Sequence, residues 1–137
     1  MSPPLMRALI EELDAGRTTI VDVPPGTSCP VITAVSGARF VVLVTEPTLF
    51  GLHDLGLALE MVAELNLPHA VVVNRHEEGN DHARDFCRSR DVDILAEIPD
   101  DRLVAEAYSR GQMAVDAVPG YADRFRDLWK RIGERVT

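Results

Sequence analysis

The sequence has one lysine, Lys130, and no G-x-x-x-x-G-K-[ST] run. It therefore lacks the glycine loop and lysine that would grip a nucleotide's phosphates, which excludes a complete phosphate-loop ATPase site within these residues. Its two cysteines, Cys29 and Cys87, are far apart and outside any CxxC. That is too few for a disulfide scaffold and the wrong spacing for zinc, and they read as reduced thiols. His53, His69, His76 and His82 are scattered and give no metal spacing. Apolar runs such as Phe40–Val44 are too short to span a bilayer, and the opening MSPPLMRALIEELD turns acidic where a signal peptide would stay apolar. A soluble, cytoplasmic protein is expected. Basic excess is missing too: the net charge is −8 and the pI about 4.9, which argues against nucleic acid or an anionic membrane as partner. Thirteen of the fourteen basic residues are arginine, and with no arginine cluster evident on one helical face the skew reads as compositional.

What is present is enough for one domain over residues 1–137, with 46% apolar residues to build a core. Pro3 and Pro4 precede a helical stripe of Leu5, Leu9, Ile10 and Leu13 that Gly16 closes. Thr18–Val23 reads as a β-branched strand ended by Pro24-Pro25-Gly26, and Pro30–Val35 as a short helix. Arg39–Thr45 is apolar without alternation, the pattern of a parallel strand covered on both faces. Leu52, Leu55, Leu59 and Val62 place a helix over Gly51–Asn66. A strand over Ala70–Val73, a helix from Asp81 to Arg90, a strand over Asp93–Glu97 and helices around Leu103–Tyr108 and Phe125–Ile132 follow. Helix and strand in alternation predict an α/β protein with a doubly wound, mostly parallel sheet.

Sites in such folds lie at the carboxyl ends of the strands, where three loops carry chemistry. Asp22 could hold a water of a magnesium ion bridging phosphates, and the amide of Gly26 could face a terminal phosphate. Asn74 offers the donor and acceptor edges that read a purine rim, and Arg75 could stack on the base or pair with an acid. Ile98, Pro99 and Asp100 supply an apolar wall and backbone carbonyls that could accept from an adenine amine. Each has an ordinary alternative: a turn aspartate, a turn asparagine, a strand stop. Thr48 is better read as the cap of the helix beginning near Phe50, and Asp100-Asp101 as first-turn charges at a helix start.

Together, IVDVPPGTSCPVITAVSGARFVVLVTEPTLFGLHDLGLALEMVAELNLPHAVVVNR and AEIPDDRLVAEAYSRGQMAVDAVP resemble the MinD/ParA/Mrp group of P-loop ATPases. The nearest branch is the one that often carries an inserted ferredoxin and is labelled cobyrinic acid a,c-diamide synthase-like. The resemblance runs from about Leu5 to Ile132. It implies a P-loop NTPase-like fold with ATP and magnesium as cofactors. Asp22 would be the magnesium-associated acid, through water, and Gly26 part of the phosphate-sensing switch. Asn74, with Arg75, Ile98, Pro99 and Asp100, would read the adenine. Cys29 stands in the branch's PPGxxCP position, with no role assigned.

The family's first strand, phosphate loop, following helix and inserted ferredoxin have no counterpart here, so the chain reads as the C-terminal portion of such a domain. In these folds the phosphate-loop strand lies between those corresponding to Thr18–Val23 and Arg39–Val44. Without it, two unpaired edges face a gap, and either direct pairing of the two strands or a homo-oligomer formed by strand exchange is expected. The first functional expectation is a nucleotide-binding part, inactive alone, of an ATPase serving iron–sulfur or metallocofactor handling, with an iron–sulfur protein as partner. The alternative is a non-catalytic module that pairs with a full-length relative. An amide-forming cobyrinic acid enzyme ranks lower, because no glutamine-hydrolysing nucleophile is recognisable.

Overall fold

The computed structural model describes residues 3–14 and 16–136. Seven helices and three strands occur among them: α1 (Pro3–Glu11), α2 (Cys29–Val35), β1 (Val41–Thr45), α3 (Leu49–Glu64), β2 (His69–His76), α4 (His82–Ser89), β3 (Ile94–Pro99), α5 (Arg102–Ser109), α6 (Ala114–Ala117) and α7 (Tyr121–Arg135). The strands form one parallel sheet in the order β1-β2-β3. Helical connections between parallel neighbours are what this geometry requires, because a tight turn cannot reverse the chain twice.

Residue alternation sorts the core into two layers. Val41, Leu43, Val71 and Val73 face α2, α3 and α4, meeting Val31, Val35, Leu55, Leu59, Val62, Ala83 and Cys87. Ala70, Val72 and Leu95 face the other way, with Val42 and Phe40, against Leu128 and Ile132 of α7. The α/β class and the helices on both faces match the expectation.

Some expectations need correction. Thr18–Val23 forms no strand. A strand is stabilised by its ladder, and this β-branched segment has no neighbour to pair with among the described residues. Its direct pairing with β1, one of the two outcomes expected, does not form. Nor is β1 covered on both faces throughout, since Val44 is 66% exposed. The amide of Val41 donates to Pro68 O at 2.9 Å, towards β2. Alternation then turns the backbone groups of Val42 and Val44 to the opposite edge, which pairs with no strand among the described residues.

The β3 edge is different. Arg131 donates to Leu95 O at 2.8 Å and Arg124 to Glu97 O at 3.2 Å. Arg135 pairs with Asp93 at 2.7 Å. These three arginines, spaced seven and four apart, share a face of α7 and step along β3. The reading that no arginines gather on a helical face is thereby overturned. The spacing was visible, but its purpose shows only once β3 is known to be an edge.

Candidate functional site

The carboxyl ends of the three strands bring three loops together. The first leaves β1 through Glu46-Pro47. Buried Thr45 donates its hydroxyl to Gly51 O at 2.9 Å, and Thr48 caps α3 by accepting from the Gly51 amide at 3.0 Å. A Cβ at position 51 would collide with the Glu46 carbonyl, so only glycine lets the helix start this close to the strand end. Leu49 and Phe50, on this tied-down turn, are 88% and 85% exposed. Thr48 thus does what the sequence predicted.

The second loop contains a bulge that no sequence signal announced. Val73 pairs with Glu97 and His76 with Pro99, so Asn74 and Arg75 stand opposite the single residue Ile98. Arg75 takes the left-handed conformation, φ +53°, which is uncommon away from glycine. A bulge of this kind re-aims side chains, and it falls on the two β2 residues picked out as purine readers. The exposed Arg75 guanidinium contacts Asp100 at 3.3 Å and Glu46 at 3.8 Å, joining all three loops. Of its two expected roles, pairing with an acid is the one seen. Behind it, Asn80 donates to Pro47 O at 3.3 Å, tying the acidic loop after β2 to the loop after β1.

The third loop ends β3 at Ile98-Pro99. The Asp100 amide donates to His76 O at 2.9 Å, and Asp101 caps α5 by accepting from Leu103 N at 2.8 Å. Ile98 is half-buried against both the α7 face of the sheet and the α5–α7 cluster. Asn74, Arg75, Ile98, Pro99 and Asp100 therefore form one group. Below them Glu97 is held by both Nε and Nη2 of Arg84, at 2.7 and 2.6 Å, and faces His76 Nδ1 at 3.9 Å. Those hydrogen bonds push the Arg84 guanidinium further up, so it stays charged.

Asp22 and Gly26 do not join the group. Both are exposed, and no hydrogen bond or ion pair links them to it among the described residues. Gly26 has φ +106°, a conformation suited to glycine, with open space around it. No cluster of three or more His, Cys, Asp or Glu could hold a metal among the described residues. Asp22 belongs to no such cluster. Cys29 is exposed at the start of α2, whereas burial pushes the Cys87 thiol up and leaves it unreactive. No described helix is long and apolar enough to cross a membrane.

In an open parallel α/β sheet, the carboxyl ends of the strands, where these loops gather, are where ligands bind. No protein-family model matches the sequence. An uncharacterized protein of Methanocaldococcus jannaschii is 33% identical over 93 residues, covering 68% of this chain and 31% of that protein. The iron-sulfur cluster transfer protein NUBPL of Mus musculus is 29% identical over 132 residues, covering 82% and 40%. The cell division ATPase MinD of Pyrococcus furiosus superposes with a TM-score of 0.78 at 24% identity, over 97% of this chain and 59% of that one. MinD of Pyrococcus horikoshii, solved with Mg-ADP, gives 0.67 at 25% identity over 95% and 54%. Fold and sequence together make the chain a relative of the MinD/ParA/Mrp-type P-loop ATPases. It spans 31% to 40% of the length of these two curated relatives.

Proposed function

We propose that this chain forms the purine side of an ATP site. The phosphate-gripping loop would be supplied by a segment outside these residues that pairs along β1. The observation that carries this is the bulge at Asn74–Arg75, which stands these two residues opposite Ile98, with Arg75 paired to Asp100, at the mouth of a parallel sheet. The β1 edge, which pairs with no strand among the described residues, supports the second half of the reading, because Val42 and Val44 offer backbone groups for one more strand. Asp22 and Gly26 would join the site once that strand lies between them and β1. Magnesium would then be held mainly by phosphate oxygens, with Asp22 reaching it through water. Without the lysine loop, hydrolysis by these residues alone is negligible, since phosphoryl transfer depends on positioning and charge stabilisation. The name of the relative NUBPL, an iron-sulfur cluster transfer protein, supports iron–sulfur cluster handling as the work of the whole protein.

Calorimetric titration with Mg-ATP and Mg-ADP tests the reading. Binding should occur and should weaken about tenfold in Asn74→Ala, the loss of two modest hydrogen bonds. Heat unaffected by the substitution would place the nucleotide elsewhere. No heat at millimolar nucleotide would favour the second reading, a non-catalytic module that associates through β1, which the exposed Val44, Leu49 and Phe50 support.

A further inference from the structure

The two faces of the sheet are covered unequally. On one, α2, α3 and α4 pack over residues of all three strands. On the other, Leu128 and Ile132 of α7 are the helical residues that meet Ala70, Val72 and Leu95. Arg124 and Arg131 fix how α7 is turned, because both donate to carbonyls of the edge strand β3. At about 100° per residue, Phe125 and Trp129 then fall on the opposite flank, which looks across the sheet towards β1. Ala122 and Gly133 share that flank, so it carries no charge, whereas Asp123, Arg126 and Lys130 elsewhere on α7 are in solvent. Val42 and Val44 alternate onto the same face of β1. Phe125, Trp129 and Val44 are 39%, 50% and 66% exposed. Together these residues outline an apolar trough beside α7 and over β1.

The trough has the dimensions of a helix. A helix about 10 Å across covers two strands about 4.8 Å apart, so α7 over β3 and β2 leaves β1 to a neighbour. Connectivity selects the same face. The crossovers through α3 and α4 step from β1 to β2 to β3 with their helices on the α2 side. A right-handed connection stepping the other way, outward from a strand added along β1, therefore runs on the α7 side.

We propose that this trough docks an amphipathic helix carried by the same segment that adds a strand to β1. The apolar face of that helix lies on Val42 and Val44, and Phe125 and Trp129, one turn apart, form the ridge it packs against. This rests on the strand-addition half of the proposed function and extends it from an edge to a face. It accounts for two aromatic rings left half in water on the uncharged flank of α7.

Trp129 is the only tryptophan, so its emission reports on the trough directly. The probe is a designed polypeptide with a valine-rich strand, a glycine loop and a leucine-faced helix of about 15 residues, titrated beside a peptide with the strand alone. Sedimentation reads association and acrylamide quenching reads the exposure of Trp129. The full probe should associate, shift the emission to the blue and cut quenching about twofold, as covering a half-exposed ring requires. The strand peptide should leave Trp129 as exposed as before. Phe125→Glu should weaken association of the full probe about tenfold, with Val44→Lys as the second variant should the first lose its fold. Association that leaves Trp129 quenching unchanged, or that neither variant weakens, means the helix lies elsewhere: this inference fails while the strand-addition reading stands. Protection of Trp129 that grows with protein concentration alone assigns the trough to a second copy and also overturns it. If neither probe associates, the strand-addition reading fails and takes this one with it.

Discussion

Arg131→Met isolates what the α7 arginines contribute. The β2–β3 register passes from Val71↔Ile94 to Val72↔Ala96, so Leu95 is an extra residue with its carbonyl off the ladder. Arg131 Nη1 fills that vacancy at 2.8 Å, and Nη2 also meets Asp127 at 3.0 Å. The Asp127 pair is half-exposed on both sides and contributes at most a few tenths of a kcal/mol. The bond to the Leu95 carbonyl has a charged donor, and a bond of that kind is worth about 1.5–3 kcal/mol. Methionine keeps much of the apolar stem over the sheet, so packing changes little. Partial recovery by water lowers the expected loss to about 1–2 kcal/mol. Arg126→Met is the control: its pair with Asp123 is as short, 2.7 Å, but both side chains are largely in solvent. It should cost under about 0.5 kcal/mol. Urea unfolding followed by circular dichroism reads the difference, with the m-value unchanged if the native fold is intact. Equal midpoints for the two variants would refute the claim that the guanidinium satisfies a strand carbonyl.

Thr48→Ala removes the α3 cap and should cost about 1 kcal/mol, a fall of roughly 4 °C in Tm by calorimetry. Above about pH 10 the fold should lose stability through Tyr121. Its folded value is raised, so the unfolded state ionises first; the contribution is full below the unfolded value and is lost as pH rises through the folded one. Tyr121→Phe should flatten that part of an alkaline stability profile. Val44→Lys puts a charge on the open strand at an exposed position, so stability should change by less than about 0.5 kcal/mol while association through β1 is abolished. Sedimentation of wild type and variant compares them, and an oligomer that survives in Val44→Lys is not formed through this edge.

Much of the fold was legible because its signals are local. The run VVLVT, the stripe of Leu52, Leu55, Leu59 and Val62, and the stops at Pro47, Pro68 and Pro99 each act within a few residues. The cap at Thr48 was legible for the same reason. Thr18–Val23 was misread because β propensity describes a segment's fitness for a sheet, not the presence of a partner strand. The bulge at Asn74–Arg75 was hidden because register belongs to a pair of strands, and neither HAVVVNR nor DILAEIP encodes the offset alone. Tyr121 was passed over for a related reason: its burial against Ala107, Ala114, Val118 and Ile98 comes from the packing of distant elements, which no local signal encodes.

The two sheet edges are treated in opposite ways. Along β3, Arg124 and Arg131 satisfy strand carbonyls and Arg135 meets Asp93, which closes the edge to another chain as charged side chains generally do. Along β1 there is no such guard among the described residues. Instead Val44 is exposed, with Leu49 and Phe50 just beyond the end of the strand. A sequence free to protect both edges would gain solubility by placing a charge at Val44, where the side chain contributes little to the core. Keeping valine there is consistent with an edge that is normally paired. A strand added at this position would lie between β1 and the unpaired segment 18–23, giving that segment the ladder it lacks. The same addition would set Asp22 and Gly26 at the carboxyl end of the completed sheet, across the added strand from the loops that hold Asn74 and Asp100. Sheet completion and site completion are, on this reading, one event.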